Sequence, residues 1–122
     1  MYIIKFNDDK SLTTTKRVDI YKGDKNADKL LIYMPQEYGE VDIADCTVII
    51  RFVKPGGSIV PITPDVLAEQ HAGYYQYCMN IDERITDTAG TMEVWVSVIN
   101  VYDDLVMRTG SVFIDILETR ES

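Results

Sequence analysis

Helical periodicity is the first thing this sequence lacks. No stretch of ten or more residues keeps apolar side chains at the 3.6-residue spacing, which excludes a helical bundle. Long apolar runs are missing too: nothing approaches the roughly 20 residues needed to span a bilayer. The opening Met1-Tyr2-Ile3-Ile4-Lys5-Phe6 turns polar at Asn7, too soon for a secretory signal. The chain is therefore expected to be made in a cytoplasm and to stay soluble. Cysteine is scarce. Trp95 follows both Cys46 and Cys78, whereas in antibody domains the tryptophan lies between the bridged pair. Both thiols are accordingly expected to be reduced, small core residues. The one histidine, His71, has no Cys or second His at metal-ligand spacing and is expected to be a solvated loop residue. Cations run short in the second half. Residues 1–60 hold nine Lys/Arg against nine Asp/Glu, while 61–122 hold three against eleven, which places the whole net charge of −8 there. Such a surface repels phosphate, so neither nucleic acid nor an anionic membrane is an expected partner.

What is present is β-forming. At 122 residues and 46% hydrophobic, the chain suits one domain, 1–122, able to bury its own core. Eight Tyr against three Phe fit half-buried sheet faces, where the ring packs and the hydroxyl stays wet. The densest stretch is 81–117. It reads as a polar segment closed by Ala89-Gly90, then long strands over 92–101 and 105–117 joined by a tight turn at Tyr102-Asp103-Asp104. Ahead of it, 2–6 reads as a strand that pairs with 11–21 as a hairpin. Residues 29–34 form a strand stopped by Pro35. Residues 46–53 alternate, with Val48, Ile50 and Phe52 on one face and Thr47, Ile49, Arg51 and Val53 on the other. The turn Lys54-Pro55-Gly56-Gly57-Ser58 leads to 59–62, an edge strand by virtue of Pro61. Residues 64–73 suggest one helical turn ended by Gly73. Then 74–81 is a strand with Tyr75, Tyr77, Met79 and Ile81 on one face. Residues 82–89 fit a loop or a single helical turn. The expected fold is all-β, an antiparallel sandwich or barrel of short strands with at most one or two helical turns.

Reaction chemistry is hard to find in these residues. Cys78 alternates with Gln76 and has no histidine nearby in sequence. Asp103-Asp104 reads as a turn whose short side chains hydrogen-bond the local backbone, without the alternating oxygen ligands of a calcium loop. Asp82, Glu83 and Asp87 crowd an acidic corner that reads as a polar loop over the end of the sandwich. Gly56-Gly57 lacks the Lys-Ser/Thr and the strand–helix setting of a phosphate loop. No catalytic residue, metal or cofactor is expected. The candidate interaction surface is Tyr33, Tyr38, Tyr74 and Tyr102 together with Asp103 and Asp104.

The order of segments says more than any one of them. Val18-Asp19-Ile20-Tyr21-Lys22-Gly23-Asp24 precedes a strand at Leu30-Leu31-Ile32-Tyr33. Val41-Asp42-Ile43-Ala44-Asp45-Cys46-Thr47-Val48 leads to Arg51-Phe52-Val53-Lys54-Pro55-Gly56-Gly57. Gly73-Tyr74-Tyr75-Gln76-Tyr77 leads to Ile85-Thr86-Asp87-Thr88-Ala89-Gly90-Thr91-Met92, and Ser111-Val112-Phe113-Ile114-Asp115-Ile116 closes the set. Over about 18–117 this ordered set resembles the N-terminal domain of phage baseplate upper proteins, with 1–16 as an N-terminal hairpin extension. The resemblance implies an Ig-like β-sandwich in the tail of a phage of Gram-positive bacteria. It implies a non-catalytic structural protein of the virion, homo-oligomeric in the assembled particle, docked to other tail or baseplate proteins and carrying receptor-binding components. That family has a stem and further domain beyond this module, which these 122 residues do not contain, so docking is the part of the role expected here. A carbohydrate-binding β-sandwich module, suggested by the surplus of tyrosine, is the alternative.

Overall fold

Strict alternation starts the first sheet. In β1 (Tyr2–Phe6) Tyr2, Ile4 and Phe6 are buried, while Ile3 and Lys5 face outward. A turn at 7–10, closed by Asn7 N to Ser11 O at 2.9 Å, returns the chain as β2 (Leu12–Lys16). The computed structural model describes residues 1–118, and the last four residues of the expected 1–122 domain lie outside it. The chain then passes to the second sheet as β3 (Ile20–Tyr21) and back to the first as β4 (Lys29–Met34). A small hairpin follows, β5 (Glu37–Tyr38) and β6 (Val41–Asp42), with a 3-10 turn at Ile43–Asp45 capped by the Asp42 side chain. β7 (Thr47–Val53) and β8 (Ile59–Ile62) form a hairpin in the second sheet. β9 (Asp65–His71) and β10 (Tyr74–Asn80) form one in the first. A single helical turn, α1 (Glu83–Thr86), carries the chain across to β11 (Gly90–Asn100), β12 (Leu105–Arg108) and β13 (Val112–Leu117).

The result is the expected all-β sandwich with two short helical turns. One sheet has the order β2-β1-β4-β10-β9, the other β3-β13-β11-β7-β8 with β12 beside the far half of β11. Pairing is antiparallel except for β1 with β4 and β3 with β13, which run parallel. The hairpin at 1–16 is integral to the first sheet, since β1 lies between β2 and β4. Between the sheets lies one continuous core. Ile4, Phe6, Leu30, Ile32 and Met34 meet Ile50, Phe52, Met92, Val94, Val96 and Val98 there, all at 2% exposure or less. Burying each such side chain fully is worth roughly 1.5–3 kcal/mol. The alternation expected in 46–53 and 74–81 is observed: Val48, Ile50, Phe52, Tyr77, Met79 and Ile81 are all buried.

Three local expectations are overturned. Residues 11–21 are not one strand: Leu12–Lys16 pairs with β1, while Ile20–Tyr21 crosses to the second sheet beside β13. Residues 64–73 are a strand and a tight turn, not a helical turn. Their Leu, Ala, Glu and Gln favour helix, but over so short a run pairing with β10 overrides that preference. The run 105–117 is two strands rather than one. Thr109, 1% exposed, leaves the ladder: its hydroxyl accepts the Val96 N–H at 3.0 Å and its own N–H reaches Val96 O at 2.9 Å. Gly110 then donates to Lys10 O at 2.8 Å, which ties the break to the β1–β2 turn in the opposite sheet.

Candidate functional site

The six residues singled out from the sequence fall in three separate places. Tyr33 on β4 and Tyr74 on β10 lie on the outer face of the first sheet. Tyr33 is stacked on His71 with ring centroids 4.7 Å apart and 15° between planes, and Lys5 Nζ sits 4.8 Å from the Tyr74 ring centre. His71 therefore ends an edge strand beside an aromatic ring and is not a loose loop residue. Tyr38 is half-buried at the mouth of the core, edge-on to Phe6 at 5.9 Å. Tyr102 (99% exposed), Asp103 and Asp104 form the tip of the β11–β12 hairpin, where Val101 is 84% exposed. The side chain that holds this tip is Asn100, not either aspartate. Its Oδ1 accepts the Asp103 N–H at 3.0 Å, and its Nδ2 donates to Asp45 O at 3.3 Å.

The acidic corner is absorbed by structure. Asp82 caps α1 and accepts three bonds from the Arg84 guanidinium at 2.8–3.1 Å. Glu83 meets Lys25 at 3.3 Å, and Asp87 pairs with Lys54. These hydrogen bonds from Arg84 and Lys54 hold the Asp82 and Asp87 carboxyls below the ordinary carboxylate range. Both thiols are free and half-buried, neither fully in the core. Burial pushes the Cys46 thiol up, the opposite of what a nucleophile needs. Among the described residues no three His, Cys, Asp or Glu side chains gather as a metal site.

The surface with the clearest interaction chemistry is one the sequence reading passed over. On β11 the inward residues are Met92, Val94, Val96 and Val98, so Glu93, Trp95, Ser97 and Ile99 face outward. Pairing sets these beside outward residues of the neighbours: Glu93 with Phe113 and Val53, Trp95 with Arg51, Ser97 with Arg108 and Ile49, and Ile99 with Val106. Phe113 is 59% exposed, Ile59 54% and Val106 80%. Arg108 lies over the Trp95 ring at 4.3 Å, and Arg51 donates from Nε to Ser97 Oγ at 3.2 Å. Neither arginine is in an ion pair among the described residues. An antiparallel sheet with one face in the core ordinarily shows water a polar face. This sheet sets Trp95, Ile99, Val106 and Phe113 among the polar residues of that face. The signal was in the sequence: seven of the ten residues in 92–101 are apolar, Trp95 and Ile99 among them at positions where strict alternation would place polar side chains.

No protein-family model matches the chain, and no curated protein is significantly similar to it.

Proposed function

We propose that this chain is a non-catalytic docking module, and that its setting is the tail or baseplate of a phage or prophage, where it binds other tail subunits and other copies of itself. The observation that carries the docking half is the outer face of the second sheet. Exposed Phe113, Ile59 and Val106 share this face with the Trp95–Arg108 pair, and large apolar side chains exposed together on one face support protein contact. Trp and Arg are the side chains that most often dominate such contacts. An exposed sheet face suits recognition better than turnover, and the paired carboxylates and raised thiol described above offer no activated group. The tail setting rests on the ordered resemblance over 18–117. In that setting the module is a scaffold that docks to neighbouring subunits.

The test is complex formation between the purified chain and recombinant tail proteins encoded beside its gene, measured by size-exclusion chromatography with light scattering. A defined complex is expected with the wild type and should be lost in the Val106→Glu, Phe113→Glu double variant. Both positions are exposed, so the variant keeps the fold. A wild-type chain that stays monomeric alone and with every such neighbour overturns the proposal. A genomic neighbourhood without tail or lysis genes overturns the phage setting.

A further inference from the structure

The opposite face of the molecule carries a second feature, independent of the docking reading. A shallow trough of about 370 Å³ crosses the outer face of the first sheet, within the size range of small-ligand sites. Its floor and walls are Ile3, Lys5, Tyr33 and Tyr74, with Thr15 and Lys16 at one edge and His71 and Ala72 at the other. In a protein with 20 Asp and Glu, none of the described ones lines it. Lys5 and Lys16 have no ion-pair partner among the described residues. Lys5 is held over the Tyr74 ring, which steadies the ammonium without neutralising it and leaves its N–H donors free for an anion.

Both rims are irregular in the way that re-aims side chains. The β1–β2 ladder slips between Ile3 and Ile4 and leaves Thr15 unpaired, and the β9–β10 ladder slips between Tyr75 and Tyr77. Ala72, at one rim, holds φ +49, a left-handed conformation that is strained for a residue with a Cβ. Tyr33 and His71 already stack on each other, so the aromatic wall is fixed before any ligand arrives.

The geometry points to a binding site for a short anionic saccharide, a hexopyranose bearing a carboxylate or phosphate. The C–H face of the sugar packs on the tyrosine rings, its hydroxyls meet Thr15 and the phenols, and its anion sits between Lys5 and Lys16. Long polyanions are disfavoured because the net charge of −8 repels them before they reach the two lysines.

The experiment is an amide-resolved NMR titration of the full chain with five probes: hyaluronan tetrasaccharide, glucose 6-phosphate, chitotetraose, inorganic phosphate and a glutamate heptapeptide. At least one of the two anionic sugars should give saturating shifts confined to the amides of residues 3–5, 15–16, 33 and 71–74. The two sugars together separate a carboxylate from a phosphate as the recognised anion. Lys5→Gln and Lys16→Gln, whose spectra should otherwise overlay the wild type, should each weaken that sugar about tenfold, the worth of one charge-assisted bond. Chitotetraose should bind about tenfold more weakly for the same reason. The proposal is overturned if neither anionic sugar saturates by about 10 mM, a concentration corresponding to roughly 3 kcal/mol of binding. It is equally overturned if the lysine variants bind unchanged, or if chitotetraose, phosphate or the peptide binds as well as the better sugar.

Discussion

Gly90 is where the crossover into β11 is most tightly fitted against the β7–β8 turn of the same sheet. It opens β11 at φ +131, where a side chain is strained, and a Cβ built there would lie 2.7 Å from Pro55 Cγ. Pro55 belongs to the β7–β8 turn, whose Lys54 pairs with Asp87 just ahead of Gly90. Crossover and turn are thus locked through one position that has no room for a methyl group. Gly90→Ala should cost about 1–3 kcal/mol, combining backbone strain with the displacement of Pro55. Urea unfolding checks it; a midpoint within error of the wild type would show that the turn gives way freely. Thr86 supports the same crossover from the other side. It is fully buried, its hydroxyl donates to Asp24 O at 2.7 Å and its carbonyl accepts the Gly23 N–H at 2.8 Å, which pins the loop between β3 and β4.

At the scale of elements, the β9–β10 hairpin shows where sequence reading and structure part. Its turn is Ala72-Gly73, with φ +49 and +84, the pattern of a two-residue turn that ordinarily carries Asn-Gly. With alanine in the first place the turn signal vanishes, and a run of Leu, Ala, Glu and Gln before it imitates a helix. Ala72→Asn should therefore stabilise the protein by about 0.5–1 kcal/mol, since Asn tolerates the left-handed region and Ala does not. Thermal unfolding reads this directly, and a lowered Tm would refute the strain assigned to Ala72. Elsewhere the hairpin partners β1–β2 and β7–β8, the alternation of 46–53 and 74–81 and the crossover before β11 were legible, because each rests on a two-residue period or a local turn, whereas the order of strands within each sheet was not. The break at Thr109 was not. It depends on Gly110 donating to Lys10 in the other sheet, a contact no local pattern encodes. The candidate site was legible only in part for a similar reason. Counting tyrosines found Tyr33 and Tyr74, but the Trp95–Arg51–Arg108 surface exists only once β7, β11 and β12 are in register. Edges are blunted by different means: Pro61 in β8, bulges in β2 and β9, and a length of two residues in β3. That leaves the outer face of the second sheet, rather than a free strand edge, as the surface proposed for association.

For the whole molecule, acid sets two opposing effects against each other. A net charge of −8 repels itself, and protonation between neutrality and the isoelectric region near pH 4.5 relieves that repulsion. Below it, the carboxylates held by Arg84 and Lys54 decide the outcome. The Asp82 and Asp87 pKa values are depressed in the folded state, so over the interval between the folded and unfolded values the unfolded chain binds more protons. Their contribution is fully present above the ordinary Asp value of about 3.9 and is lost as pH falls through the depressed ones. Stability should therefore hold or rise slightly from pH 7 to about 5 and then drop as the pH approaches about 2. Arg84→Gln separates the two effects. It removes the partner that depresses Asp82, so it should lower Tm at pH 7 while flattening the fall between about pH 4 and pH 2. Melting curves across that range for both proteins make the comparison. Parallel acid limbs would mean that Arg84 does not set the Asp82 titration, and that the acid sensitivity belongs to the surface charge as a whole.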